Sequence, residues 1–326
     1  MKDRFERELS YLRISVVDRC NLSCLYCMPN GGAGFENMNH LLSYDEIVTL
    51  TRTFAEMGIR KVRLTGGEPL VRKGIPGLIR QLRAIPGIEE LALSTNGVFL
   101  KEQVLELKVA GLNRINISLD TLRPERFKQI AKVDRLRQVL EGIDAALDAG
   151  LRPVKINTVL MKAINADEIL DLVRFAIERS IEIRFIELMP TNDQVPIEWG
   201  QTFFSAEEAK AIVKSEYRLA AFDTYFSSPA KVFAIEGTPA RVGFISPLSC
   251  FFCTRCNRLR LKANGMLKTC LHGKEDLDLK TLLRSGASKE VIQQNIAAVV
   301  FARPEQHFLN EPQVPHQDFQ MSHVGG

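Results

Sequence analysis

Six short β-prone runs separated by helical stretches fill the first 190 residues, and this rhythm constrains the fold more than any other feature of the chain. The runs lie near 11–17, 61–65, 91–95, 114–118, 154–159 and 181–186, with helical periodicity over 43–57, 75–84, 101–110, 136–149 and 166–178. Strands that alternate with helices must pair in parallel, because each crossover returns the chain to the same edge, and such crossovers are right-handed. The expected class is α/β, a six-unit parallel sheet that lies open or curls into a partial barrel.

Parallel strands are normally apolar on both faces. Here Arg13 and Ser15, then Lys61, Arg63 and Thr65, then Asn116, Ser118 and Asp120, then Lys155 and Asn157 fall at alternate positions. Four strands that agree in this way predict one polar face, and hence an open barrel with a lumen able to hold a large polar ligand. The strand ends carry the segments that look chemical: a cysteine loop after the first strand, LTGGEP after the second, then STNG, ISLD and ELMP. The paired glycines Gly66 and Gly67 are expected to let the backbone approach a ligand closely.

Cys20, Cys24 and Cys27 crowd into eight residues, and Cys253, Cys256 and Cys270 form a second set. Three thiolates hold a four-iron cluster while leaving one iron without a cysteine. Zinc remains an alternative from spacing alone, with His272 as a fourth ligand for the second set, although the first set offers no obvious fourth ligand. Disulfides are not expected, since the N-terminal segment MKDRFERELSYLR lacks the apolar stretch of a secretory signal.

With 45% apolar and 25% charged residues the 326-residue chain can bury a substantial core. Forty-three basic against 39 acidic residues give +4, too little to argue for nucleic acid. No apolar stretch reaches the roughly 18 residues that would suggest a membrane span, so a cytoplasmic location is expected. Beyond residue 190 the rhythm breaks. A hairpin is expected over 230–245 around Gly237, and a strand over 257–262, ending in a turn at Asn264-Gly265, would aim Arg258 and Arg260 to one side.

The spacing of Cys20, Cys24 and Cys27, with Tyr26 before the last, resembles the signature of the radical S-adenosylmethionine enzymes. That resemblance implies an incomplete TIM-like (βα)6 barrel and a cluster whose open iron takes the amino and carboxylate groups of S-adenosylmethionine. Cleavage of the sulfonium then yields a 5'-deoxyadenosyl radical. The motifs YLRISVVDRCNLSCLYCMP, VRLTGGEPLVR, LSTNG, NISLDTL, VKINTV, RFIELMP, RVGFISP and FCTRCNRLRL, with the terminal Gly325-Gly326, narrow the likeness to the molybdenum cofactor biosynthesis protein A family, the GTP 3',8-cyclases.

By that resemblance Cys20, Cys24 and Cys27 hold one [4Fe–4S] cluster and Cys253, Cys256 and Cys270 a second, in a C-terminal extension. Tyr26, Gly67, Ser118 and Met189 surround S-adenosylmethionine. Arg13, Arg63, Thr95, Lys155, Arg184, Arg258 and Arg260 contact GTP, and Gly325 and Gly326 reach the active site. The implied division is 1–225 for the partial barrel and 226–326 for the auxiliary-cluster region. Abstraction of the ribose 3'-hydrogen and attack of C3' on guanine C8 would give (8S)-3',8-cyclo-7,8-dihydroguanosine 5'-triphosphate. The implied partners are a flavodoxin- or ferredoxin-type electron donor and a downstream pyranopterin monophosphate synthase, with the chain a monomer or homodimer. Cys250 is extra to the family pattern and reads as a neighbouring thiol. The glycine-rich stretch 30–42 has no reading.

Overall fold

The computed structural model describes residues 1–28, 40–190, 199–222, 228–250, 252–273, 275–307 and 321. The stretch 30–39 and the terminal Gly325 and Gly326 lie outside the described residues. The six expected strands are β1 (Tyr11–Ser15), β2 (Lys61–Thr65), β3 (Glu90–Thr95), β4 (Arg114–Ser118), β5 (Val154–Leu160) and β6 (Glu182–Glu187). Between them run α1 (Tyr44–Glu56), α2 (Ile75–Arg83), α3 (Leu100–Val109), α4 (Pro124–Ala131) and α5 (Leu136–Asp148), and α6 (Ile169–Arg179) precedes β6. Helix α4 has no counterpart in the sequence reading: its eight residues are too few to show a period. Helix α1 starts where it should, at a capping box in which Ser43 and Glu46 satisfy each other's backbone N–H groups.

The remaining elements are α7 (Trp199–Thr202), α8 (Ala206–Glu216), β7 (Leu219–Ala221), β8 (Ala230–Ile235), β9 (Arg241–Ile245), β10 (Arg258–Leu261), β11 (Met266–Lys268), β12 (Leu277–Asp278), α9 (Leu279–Arg284) and α10 (Lys289–Phe301). The expected hairpins are β8–β9, and β10–β11 with its turn at Gly265. The sequence did not show where they would dock. Strand β9 pairs in parallel with β6, and β10 in parallel with β1, so eight parallel strands run in the order β10-β1-β2-β3-β4-β5-β6-β9. The antiparallel pairs β8–β7 and β11–β12 complete the twelve-stranded sheet, and its end strands β12 and β7 are not neighbours, so the barrel stays open. Strands from both sides of position 225 share this sheet, since β7 pairs with β8.

Side chains alternate across it. Leu12 and Ile14, Val62 and Leu64, Leu91 and Leu93, Ile115 and Ile117, Ile183 and Phe185, Val242 and Phe244, and Leu259 and Leu261 are buried in the core with the helices. Between them Tyr11 and Arg13, Lys61 and Arg63, Asn116 and Ser118, Lys155 and Asn157, Glu182 and Arg184, and Arg258 and Arg260 line a central cavity. Ser15 is the exception to the expected lining: its hydroxyl donates to Val17 O at 3.1 Å and is fully buried at the strand end. Among the described residues no helix is long and apolar enough to cross a membrane.

Because β10 lies parallel to β1, their cysteines fall at opposite ends of the strands. Cys20, Cys24 and Cys27 follow β1 at the C-terminal mouth, whereas Cys253 and Cys256 precede β10 at the N-terminal mouth. Cys270 follows β11, which runs antiparallel to β10, and so returns to that same N-terminal mouth.

If β10 is an integral strand, Leu259, which is completely buried, anchors it from the outer face. Leu259→Ala should lower unfolding stability by about 2–5 kcal/mol in one cooperative urea transition of the apoprotein. A small early transition with an unchanged main one would show β10 to be a detachable appendage.

Candidate functional site

The cavity measures about 1290 Å³ and reaches from one cysteine set to the other. At its C-terminal mouth Cys27 N donates to Cys24 O at 3.0 Å and Met28 N to the same oxygen at 2.9 Å, a tight turn that gathers the thiols. Cys20 Sγ accepts from Leu22 N at 3.4 Å and from Asn96 Nδ2 at 3.6 Å. Burial raises the Cys20 thiol to about 11 and pushes Cys24 well above its ordinary value, with the neighbouring Cys27 adding to the effect on Cys24.

The TGGE segment packs on this loop. Gly67 N donates to Val17 O and Glu68 N to Arg19 O, both at 2.8 Å. A Cβ on Gly67 would lie 2.2 Å from Arg19 O, and one on Gly66 would lie 2.5 Å from Val17 O. The two glycines therefore allow a close approach to the cysteine loop's own backbone, and both also line the cavity where a ligand is expected. Glu68 accepts from Thr95 Oγ1 at 2.7 Å, Asn96 N at 2.6 Å and Leu70 N at 3.0 Å. Burial raises its carboxyl to about 7 despite those donors. Thr95, placed by sequence with GTP, thus donates its hydroxyl to Glu68 while also lining the cavity. On the opposite wall Tyr26 Oη donates to Asp120 at 2.7 Å, and burial raises Asp120 to about 6. Ser118 and Met189 line the cavity at the ends of β4 and β6.

Midway down the barrel, Arg260, Arg13 and Arg63 are register partners on β10, β1 and β2, so three guanidinium side chains stand abreast. Arg258 shares the next rung with Tyr11 and Lys61. Arg63 is held by neutral groups, the Tyr11 hydroxyl, Ser94 Oγ at 3.1 Å and Leu93 O at 3.3 Å. Arg258 lies over the Phe252 ring at 5.0 Å, and its Nε has no hydrogen-bond partner among the described residues. Burial and then the Arg258 charge lower Arg260 to about 10, and burial and the neighbouring Arg260 hold Arg13 well below its ordinary value. Across the cavity Glu182 accepts from Lys155 at 2.9 Å and also from Arg184, and burial lowers Lys155 to about 8. Asn116 Oδ1 and Asn157 Oδ1 are buried acceptors with no partner among the described residues.

At the N-terminal mouth Cys256 N donates to Cys253 O at 3.1 Å, and Cys253, Cys256 and Cys270 all line the cavity. Burial alone would raise Cys256, but Arg258 and Arg303 outweigh it and bring the thiol down to about 6. Cys250 is exposed, absent from the cavity lining and within 3.3 Å of Lys231 Nζ, the neighbour that its sequence position suggested. His272 also faces the cavity, its ring 5.2 Å from that of His307. Among the described residues no three His, Cys, Asp or Glu side chains converge on a point that could hold a single metal ion. The sequence reading missed Tyr11, Arg114 and Glu182, although each sits two residues from an identified lumen position or in register with one, and Arg241, which is in register with Glu182. It also missed Arg7 and Arg303, which no local pattern marks.

The comparisons agree with this geometry. A radical SAM superfamily model matches residues 14–176, and a Molybdenum Cofactor Synthesis C model matches residues 181–309. A GTP 3',8-cyclase of Moorella thermoacetica is 45% identical over the full length of both chains, and one of Hydrogenovibrio crunogenus is 44% identical over 99% of each. The chain belongs to the GTP 3',8-cyclase family. Among solved structures, Streptococcus suis SuiB bound to S-adenosylmethionine superposes with a TM-score of 0.62 at 16% identity, over 88% of this chain and 68% of that one, a likeness of fold. GTP 3',8-cyclases work with two [4Fe–4S] clusters and S-adenosylmethionine, and this chain presents two sets of three cysteines to the cavity.

Glu68 gives a test without metal. A carboxyl raised from about 4.5 to about 7 binds its proton more tightly folded than unfolded. Its contribution to stability is therefore full below about pH 4.5 and lost as pH rises to about 7. The apoprotein's unfolding free energy should fall across that window, and Glu68→Gln should flatten the fall. An unchanged pH profile in the variant would show that Glu68 titrates normally.

Proposed function

We propose that this chain converts GTP to (8S)-3',8-cyclo-7,8-dihydroguanosine 5'-triphosphate inside the barrel, the first step of molybdenum cofactor biosynthesis. The observation that carries the reading is one cavity with a three-thiol set at each mouth and a rung of guanidiniums between them. Cys20, Cys24 and Cys27 would hold the cluster that binds S-adenosylmethionine, beside Tyr26, Gly67, Ser118 and Met189. Cys253, Cys256 and Cys270 would hold the second cluster at the guanine end. The first cluster, reduced and with S-adenosylmethionine bound, would supply the radical that removes hydrogen from ribose C3'.

The chain's own residues do the rest. Arg13, Arg63, Arg258 and Arg260 bind the triphosphate, whose about four negative charges relieve the mutual repulsion of these cations, and their forked donors match phosphate oxygens. Lys155 and Arg184, held by Glu182, stand ready on the facing wall. Asn116 and Asn157 offer their unused oxygens to sugar hydroxyls or guanine N–H groups. Thr95 would contact GTP from the cavity wall while its bond to Glu68 fixes the segment that borders the cofactor. The surrounding apolar shell keeps water from quenching the reaction.

Within this reading residues 1–225 supply the cofactor barrel and 226–326 the second cluster, with Gly325 and Gly326 reaching the substrate. A flavodoxin- or ferredoxin-type protein delivers the electron, a pyranopterin monophosphate synthase takes the product, and the reducing cytoplasm suits both clusters.

Anaerobic turnover with GTP deuterated at ribose C3', S-adenosylmethionine and a strong reductant tests the proposal. Deuterium should appear in 5'-deoxyadenosine, and ATP should not be cyclised. Parent protein should reconstitute with about eight irons. Cys24→Ala should abolish cofactor cleavage, while Cys270→Ala should retain some cleavage and form no cyclic product. Cyclisation at the parent rate by Cys270→Ala, or no deuterium transfer, would refute the assignment.

A further inference from the structure

The first nine residues precede the matched radical SAM region, and no motif reaches them. Even so, Asp3, Arg7 and Arg303 are among the most buried charges in the protein, at 2%, 7% and 4% exposure. Asp3 is fixed first: its Oδ1 accepts from Phe5 N at 2.9 Å and Arg7 N at 3.1 Å, and its Oδ2 lies 2.6 Å from Arg7 Nε. The same Oδ2 stands 3.9 Å from Arg303 Nη1, so one carboxylate serves two guanidiniums.

Both guanidiniums face the second cysteine set. Arg7 donates to Cys253 O at 3.0 Å, to Pro304 O at 2.7 Å and to Glu305 O. Arg303 donates through Nη1 to Cys256 O at 3.0 Å and through Nη2 to Cys256 Sγ at 3.0 Å. With two nitrogens given to a single cysteine, Arg303 is arranged as a ligand's partner. In the first set, Cys20 Sγ receives a backbone N–H and an amide. A buried, desolvated pair of charges would be costly if it served packing alone.

We propose that Arg303 is a positioning residue of the second cluster, giving the Cys256 sulfur a charged hydrogen bond, with Asp3 and Arg7 as its anchor. The inference rests on the reading that Cys253, Cys256 and Cys270 hold an iron–sulfur cluster. A cationic donor on a ligand sulfur stabilises the more negative, reduced state, and hydrogen bonds to sulfur are among the determinants of cluster potential. The N-terminal segment therefore sets the electron affinity of a site about 250 residues away along the chain, and the same clasp fixes where residues 303–305 leave the barrel wall.

The test uses the reconstituted full-length chain in a Cys24→Ala background, where the second cluster is titrated alone. About four irons per chain are expected first, and no iron would overturn the cluster reading itself. In that background Arg303→Gln should keep its iron, and the midpoint by potentiometric EPR should shift negative by ~59 mV or more, a tenfold change for a one-electron couple. Arg303→Lys keeps the charge without the fork and should fall between. If Arg303→Gln loses the cluster, Arg303→Lys decides. A midpoint and g-values equal to the parent's in whichever variant retains iron would overturn the proposal.

Discussion

The parallel pairing of β10 with β1 is the constraint on which the rest of the site depends. A strand arriving from the far end of the sequence joins the first strand of the barrel in the same direction, with Tyr11 opposite Arg258 and Arg13 opposite Arg260. Direction decides the geometry of both metal sites. Had β10 run antiparallel, Cys253 and Cys256 would have emerged at the same mouth as Cys20, and no cavity would separate them. Register decides the charge, because a slip of one residue would turn both arginines outward into the apolar layer.

Three guanidiniums abreast are expensive to assemble. If neighbouring charges stood as far apart as their strands, ~4.8 Å, each pair would repel by about 3 kcal/mol at an effective dielectric near 20. The lowered value at Arg13 carries burial first and then the repulsion of Arg260 and Arg63. The outer face tolerates it because Leu12, Ile14, Val62, Leu64, Leu259 and Leu261, on the same three strands, are completely or almost completely buried. The sheet thus departs from the usual two-sided apolar rule on its inner face only, with cations concentrated on β10, β1 and β2.

Much of this was legible in the sequence. Period and alternation gave the six strands, the polar lumen and the direction in which Arg258 and Arg260 point, because those are local consequences of a two-residue repeat. The short helix α4, the parallel docking of β9 and β10, and the Asp3–Arg7–Arg303 clasp were not legible, since each depends on contacts between distant segments. Gly66 and Gly67 illustrate a subtler limit. Their freedom from side chains was readable, but what approaches them, the backbone of Val17 to Arg19, was not. Thr95 is similar, its hydroxyl donating to Glu68, 27 residues away in the chain.

The central claim is that the β10–β1–β2 arginines recognise phosphate, leaving the base to the N-terminal mouth. Equilibrium binding of GTP and of guanosine to the reconstituted parent and to Arg260→Ala tests it most directly. The variant should lose about 1.5–3 kcal/mol of GTP affinity, the range for a charge-assisted hydrogen bond, while guanosine affinity stays within a factor of about two. Equal losses for both ligands, or none for GTP, would contradict it.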